Sequence, residues 1–344
     1  MMRMMQSGMV LLLLAGCGHG EPFATIDPAP IEGPFSPATP LRLTYSPLPD
    51  VTPAWLPDGS GILYSATRGD RYNDRCLMVM PPGGGTALRA VCYEPFTRPP
   101  QDSLRIIAWP TMSPGGTLLY SSTTGRRTVG AIRVRQLKWG GIDEQPRDHS
   151  FLSAPTDLFG GRQLSGVAFL RWIDDQRFVY RADFQGLAGP DSVISGRFIV
   201  LGTFTAGGVT RAYLAGTDHA SSVAVIPGDT LLFTRNNDSR LYALALATGA
   251  IDTLHDFGAV TRDVHAVGSD VVVITGGFTD YVWAQGFQDS VQIDRGGELV
   301  LLNRASGLVQ QLTLNETYRH PVLSPDGTRI VAEQSGDLFI LLKP

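Results

Sequence analysis

The feature that most constrains this chain is a short pattern that recurs six times: an apolar stretch, a tight polar turn, then a second apolar stretch. HPVLSPDGTRIVA (320–332) matches TPAWLPDGSGILYSA (52–66) and WPTMSPGGTLLYSS (109–122). FLRWIDDQRFVYRA (169–182) and SVAVIPGDTLLFTR (222–235) are weaker copies, and VHAVGSDVVVITG (264–276) is the weakest. The turn centres lie near 58, 115, 174, 228, 269 and 326, mostly 54 to 59 residues apart. Units repeating at such a spacing bury their apolar faces by stacking on one another. Each turn is followed by a second half, seen best in NDSRLYALALATGAIDTLHDF (237–257) and GGELVLLNRASGLVQQLTL (296–314). That half adds two more strands joined by a Gly-containing turn. Four short strands per unit is a blade pattern. With 39 Gly, 24 Pro and only 17% charged residues, composition points the same way, to many turns and no long helices.

The Ser324-Pro325-Asp326-Gly327 turn between apolar strands, with a Leu-Thr outer strand before the next unit, resembles the propeller repeats of TolB and its relatives. The resemblance runs from about 41 to 344 and implies an all-β, six-bladed β-propeller. One strand is then missing from the last blade, because 320–344 supplies three and leaves Leu338–Leu342 as an apolar edge. Such an edge invites aggregation unless covered. QLTLNETYRHPVLSPDG (311–327) and RLTYSPLPDVTPAWLPDG (42–59) have the same form, Leu312-Thr313 matching Leu43-Thr44. Residues 41–46 are therefore expected to be the outermost strand of the last blade and to close the ring.

The N-terminus carries a separate signal. Met1–Gly8 holds one cation, Arg3; Met9–Leu14 is apolar; and Leu14-Ala15-Gly16-Cys17 follows. The apolar run is too short to span a bilayer, which needs about 20 residues, but it suits a secretory signal. Leu-Ala-Gly-Cys resembles the bacterial lipoprotein lipobox, which implies a signal peptide over 1–16 and acyl chains on Cys17. The bland alternative is an ordinary signal peptide with an incidental Cys. Acyl chains contribute ~0.8 kcal/mol per buried CH₂, so several make a stable anchor. Residues 17–40 carry Pro at 22, 28, 30, 34, 37 and 40 and read as an extended tether. The chain is thus expected to be exported and lipid-anchored on the periplasmic side of a membrane. Gly18 stands where an inner-membrane retention Asp would, which favours the outer membrane.

Cys76 and Cys92 flank the turn at Gly84 at equal distance, so a hairpin sets them opposite each other. A cross-strand disulfide is expected in an oxidising compartment; two buried free thiols are the alternative.

Chemistry is hard to find. Net charge is −4 with no basic block, which speaks against nucleic acid. The sequence holds no Gly-x-Ser-x-Gly, His-Glu-x-x-His, P-loop or dinucleotide fingerprint. The innermost strands, read as 53–56, 110–113, 169–172, 222–225, 264–267 and 321–324, supply only Arg171 and His265 as ionisable groups and no carboxylate. Paired-carboxylate catalysis cannot be built from that set, so no catalytic residue, cofactor or metal is assigned. Calcium at Asp70–Asp74 or Asn236-Asn237-Asp238 is a weaker reading than plain turn chemistry. The long connections (66–75, 94–108, 183–196, 277–296, parts of 140–165) fall mostly on one face. They carry Phe96, Trp109, Phe184, Phe278, Tyr281, Trp283 and Phe287, candidates for a partner-binding face. The expectation is a non-enzymatic anchored platform for a membrane-protein or envelope complex. The alternatives are a small ligand, glycan or peptide held at the channel mouth near Arg171, His265 and His320, and a channel-centred hydrolase or lyase.

Overall fold

The structure is a computed structural model that describes residues 40–67, 75–91, 105–124, 129–136, 149–150, 163–189, 192–206, 208–277, 279–283, 290–294 and 296–344. Strand follows strand throughout. After β1 (Leu41–Arg42), sheet one comprises Asp50–Trp55, Ile62–Thr67, Arg75–Met80 and Leu88–Val91 (β2 to β5). Sheet two comprises Arg105–Met112, Thr117–Thr124, Val129–Gln136 and His149–Ser150 (β6 to β9). Sheet three comprises Gln163–Trp172, Arg177–Gly189, Ser192–Thr205 and Gly208–Tyr213 (β10 to β13). Sheet four comprises Ala220–Ile226, Thr230–Arg235, Arg240–Ala245 and Ile251–Asp256 (β14 to β17). In sheet five a ribbon of Thr279–Trp283 and Ser290–Asp294 (β20, β21) is inserted between the pair Thr261–Val267 and Asp270–Thr275 (β18, β19) and the pair Glu298–Asn303 and Val309–Gln311 (β22, β23). Sheet six comprises Tyr318–Leu323, Arg329–Gln334 and Asp337–Leu342 (β24 to β26), with β1 on the outer side of β26.

Each first strand packs against the first strand of the next sheet, and β24 packs against β2. Apolar clusters fill the spaces between successive sheets. Leu56 and Leu63 meet Ile107 and Tyr120; Val179 and Ile199 meet Val223 and Phe233; Val322, Leu338 and Ile340 of sheet six meet Trp55, Ile62 and Tyr64 of sheet one. Second strands such as Ile62–Thr67 are buried along their whole length. That is why they read as unbroken apolar runs rather than alternating ones. The fold is an all-β propeller.

The turns follow the sequence. In the Ser324-to-Thr328 turn the Asp326 carboxylate accepts from Ser324 Oγ at 2.5 Å, Thr328 N–H at 3.0 Å and Thr328 Oγ1 at 2.8 Å. These bonds, the Ser324 bond foremost, hold its pKa down at about 2. Gly327 takes φ +69°, a value that costs a side chain dearly and glycine nothing.

β1 aligns Leu41 with Ile340 and Arg42 with Phe339. Beyond it, Leu43 N–H donates to Leu338 C=O at 2.7 Å, and Leu338 N–H donates to Thr44 Oγ1 at 3.0 Å. Arg42 meets Asp337 at 2.6 Å. Leu43 and Thr44 are buried.

Two expected loops are not loops. Residues 183–196 continue the β11–β12 ladder out to Gly189 opposite Ser192, and much of 277–296 forms the β20–β21 ribbon. The Gly and Ser content of both stretches, with Pro190 in the first, hid their strand pairing.

Candidate functional site

The innermost strands hold the chemistry, and one device positions it. All six break register, five of them at the same level: between Val51 and Ala54, Ala108 and Thr111, Ala168 and Arg171, Arg262 and His265, and Arg319 and Val322, with the break in sheet four slightly earlier, between Ala220 and Ser222. These are β-bulges, which re-aim side chains. In five of them a non-glycine residue lies in the left-handed region: Thr52 (φ 53°), Trp109 (55°), Phe169 (51°), Asp263 (54°) and His320 (49°). Each such residue costs of order 1–3 kcal/mol and persists only where its surroundings over-determine it.

The bulge residues bind one another around the ring. Thr52 Oγ1 accepts from Trp109 N–H at 3.2 Å, Ser222 Oγ from Val264 N–H at 3.0 Å, and Asp263 Oδ2 from His320 N–H at 3.0 Å. The Trp109 ring lies 4.2 Å from Phe169 and 4.6 Å from the His320 imidazole. His320 Nδ1 pairs with Glu333 Oε2 at 2.9 Å, and the other Glu333 oxygen takes Arg319. Burial pushes the Glu333 carboxyl up, but the bond and charge of His320, with the charge of Arg319, override it and leave the pKa below the ordinary value. Arg181 sits 5.2 Å over the Phe169 ring, donates to Ser221 C=O at 2.6 Å and meets Asp183 at 2.9 Å.

Two residues beyond the bulge, Arg171 and His265 occupy equivalent positions in β10 and β18. Arg171 Nη1 donates to Leu170 C=O at 2.8 Å. Burial, opposed by the charge of Asp263, pushes its pKa down to about 10, so it is still a cation at neutral pH. His265 Nδ1 accepts from Leu323 N–H at 3.1 Å. Burial and then the Arg171 charge hold this imidazole well below its ordinary pKa, so it is neutral. With Nδ1 accepting, its proton stands on Nε2.

This arrangement corrects the expectation of a channel without carboxylates. Asp263 is on an innermost strand, one residue before the stretch read as lining the channel, and fully buried Glu333 reaches His320 from a second strand. Arg171, His265 and His320, the three residues read as a channel mouth, stand on the first strands β10, β18 and β24. Trp109 does not stand on a loop: it lies within β6, half-buried against Phe169 and His320. Phe184 is likewise not a surface aromatic. It is 8% exposed, has its ring 5.1 Å from and tilted against that of Phe198, and lies opposite Gly196, whose missing side chain makes room for the ring. Tyr281 and Trp283 are in the β20 strand of the ribbon. Cys17, Phe96, Phe278 and Phe287 lie outside the described residues, as do Asp70–Asp74. Cys76 is disulfide-bonded. The β4–β5 ladder sets Leu77 opposite Val91, the register that a Cys76–Cys92 bridge requires, though Cys92 itself lies outside the described residues. Asp238 serves its turn, bound to Arg240 at 2.9 Å and Tyr242 at 2.6 Å.

No family model matches the chain, and no curated protein matches it. Solved structures do. A gluconolactonase from Xanthomonas campestris aligns with TM-score 0.55 and 15% identity over 92% of this chain and 100% of that one. The WD40 repeats of RRP9 align at 0.51 and 10% over 90% and 99%. A TolB-type protein from Agrobacterium tumefaciens aligns at 0.51 and 14% over 87% and 92%. The chain spans 62% of the length of a further TolB, from Acinetobacter baumannii. At these identities the likeness concerns the fold: the chain is a β-propeller whose structural neighbours include TolB proteins and WD40 propellers.

Proposed function

We propose that this protein is a non-enzymatic, membrane-tethered propeller that docks a protein partner at the surface of a bacterial envelope membrane. In this reading residues 1–16 are a signal peptide, Cys17 carries the lipid, residues up to 40 are a tether, and 41–344 form six blades closed into a ring by the strand at 41–46. The clusters between successive sheets and the bonds from Leu43 and Thr44 to Leu338 support the closure.

The observation that carries the docking reading is the pair of β-ribbons on second-to-third connections. The β11–β12 hairpin continues past Gln185, where β10 ends its pairing, and β20–β21 is inserted at the equivalent place in sheet five. Connections of that kind emerge on one face of a propeller. Paired ribbons on a rigid scaffold offer a partner more ordered backbone than loops do, which lowers the entropy cost of binding. The inner groups are largely committed to one another, His320 with Glu333 and Asp263 with a backbone N–H. That favours recognition at a face over catalysis at the axis.

The test is affinity capture of the full-length protein from detergent-solubilised membranes. A stoichiometric partner lost on Tyr281→Ala with Trp283→Ala is expected; the absence of any stoichiometric partner would overturn the docking reading. Cys17→Ala should move the chain out of the membrane fraction, and its retention there would overturn the anchor.

A further inference from the structure

The chain enters the propeller beside a groove. Pro40, the first described residue, forms one wall of a space of about 460 Å³, and the connection from sheet five to sheet six forms the rest. Leu312 and Tyr318 are buried in that wall, while Leu314 stands on the rim, 73% exposed. Leu308 and Val309 are exposed beside it along β23, the outer strand of sheet five. The polar atoms of the wall are bonded to their own neighbours. Gln311 Nε2 donates to Thr313 C=O at 2.9 Å, Thr313 Oγ1 donates to Glu298 Oε2 at 2.7 Å, and Glu316 accepts from Gln334. What the groove still offers is apolar surface, and exposed apolar patches of this kind mark contact sites.

The chain itself decides what reaches it first. Residues 33–39, Gly-Pro-Phe-Ser-Pro-Ala-Thr, run up to Pro40 and lie outside the described residues. They carry no charge, so the Glu316 carboxylate does not repel them, and Phe35 is their one large apolar side chain. Pro34, Pro37 and Pro40 bar a helix and favour an extended course. Even fully extended, five residues carry Phe35 at most about 18 Å from Pro40, which keeps the ring within reach of Leu314. A short tether gives it an effective concentration on the order of millimolar at the groove, well above that of a free partner.

We propose that residues 33–39 fold back along this groove and seat the Phe35 ring against Leu314, pinning the tether to the side of sheets five and six. Where Cys17 carries the lipid, as in the reading above, the contact shortens the free tether to residues 17–33. It then holds the outer edge of those two sheets towards the membrane. The contact itself needs neither lipid nor partner, and it stands if either of those readings fails.

The experiment is photo-crosslinking of the full-length protein in whole cells, with p-benzoylphenylalanine replacing Phe35 and, as a control, replacing Phe23. Products joining position 35 to peptides within 308–318 of the same chain are expected, and position 23 should give none. Leu314→Asp should lower their yield about tenfold, because it sets a charge where the ring must sit. An unchanged melting midpoint in that variant shows that the fold is intact, as the exposure of Leu314 requires. Products linking position 35 to a second copy, to another protein or to a different surface of its own chain would overturn the proposal. So would a yield no higher than that from position 23, or one that Leu314→Asp leaves unchanged.

Discussion

The closure at Leu43 gives a sharp test. Its side chain is 2% exposed and packs in one cluster with Trp55, Ile62 and Tyr64 of sheet one and Val331, Leu338 and Ile340 of sheet six. Truncation to alanine removes apolar contact with two sheets at once and leaves a space that the flanking strands cannot easily collapse into. Leu→Ala changes of this kind cost about 2–5 kcal/mol, so a loss of about 3 kcal/mol is expected. Thr44→Val acts differently. It keeps the shape but leaves the buried Leu338 N–H without its acceptor, costing about 1–3 kcal/mol. The Arg42–Asp337 pair contributes little by comparison, because the Arg42 side chain is 41% exposed. Together the two truncations remove a large part of the 5–15 kcal/mol that typically separates folded from unfolded. Deleting 41–46 takes the β1 ladder as well and should prevent stable folding. Equilibrium guanidinium unfolding followed by tryptophan fluorescence reads this directly, since Trp55 belongs to the same cluster. Leu314→Ala, at a side chain 73% exposed, is the control and should stay within about 0.5 kcal/mol of the parent. If Leu43→Ala behaves like Leu314→Ala, the closure argument is wrong.

Other expectations are more compact. His265 is held neutral, its folded pKa depressed below the ordinary 6.5, so the unfolded chain binds a proton that the folded one refuses. Stability should fall as pH drops through about 6.5, by at most about 1.4 kcal/mol per pH unit for one proton. His265→Gln should flatten that slope in denaturation curves between pH 7.5 and 5, and an unchanged slope would remove His265 from the account. Glu333 acts in a lower window. Its depressed pKa contributes stability that is present above the ordinary 4.5 and lost as pH falls through the folded value, so Glu333→Gln should blunt acid unfolding below pH 4.5. Gly196→Ala would place a methyl 2.2 Å from the Phe184 ring, and expelling that ring should cost about 1–3 kcal/mol by calorimetry. A neutral result there would mean that the ring has another resting place. Peptide mapping without reduction should recover Cys76 linked to Cys92; free, alkylatable Cys76 would contradict the bridge, whose reduction should cost about 3 kcal/mol for a loop of this size.

The repeat was legible because turn chemistry is local. Asp58 and Asp326 each accept from the backbone N–H and the hydroxyl of the residue two positions on, and the pairing of the first residues with the last strand followed from matching Leu43-Thr44 to Leu312-Thr313. The inner site was only half legible. A bulge interrupts the two-residue alternation on which strand reading depends, so a four-residue window placed on the motif left out Asp263. Glu333 looks like the solvent-side end of IVAEQ, and its burial depends on His320 and Arg319 in the neighbouring strand. Phe184 sits in a stretch rich in Gly, Pro and Ser that reads as loop. A usable signal was present nonetheless: Phe184 with Gly196 and Phe178 with Gly202 are centred on the same point, as opposed residues of one long hairpin must be.

Packing alone would not define this ring, because apolar contact has no direction and permits the sheets to slide over one another. Each interface carries in addition a bond that is directional. Thr52 joins sheet one to sheet two, the Trp172 indole donates to Thr111 C=O between two and three, and Arg177 meets Asp229 between three and four. Ser222 and Asp263 bind the next inner strands of sheets five and six, and the Trp55 indole donates to Val322 C=O where sheet six returns to sheet one. Four of these six bonds come from a bulge position or from the residue three beyond it. The strained backbone at Thr52 and Asp263 thus does more than aim side chains inward: it sets the register between neighbouring sheets.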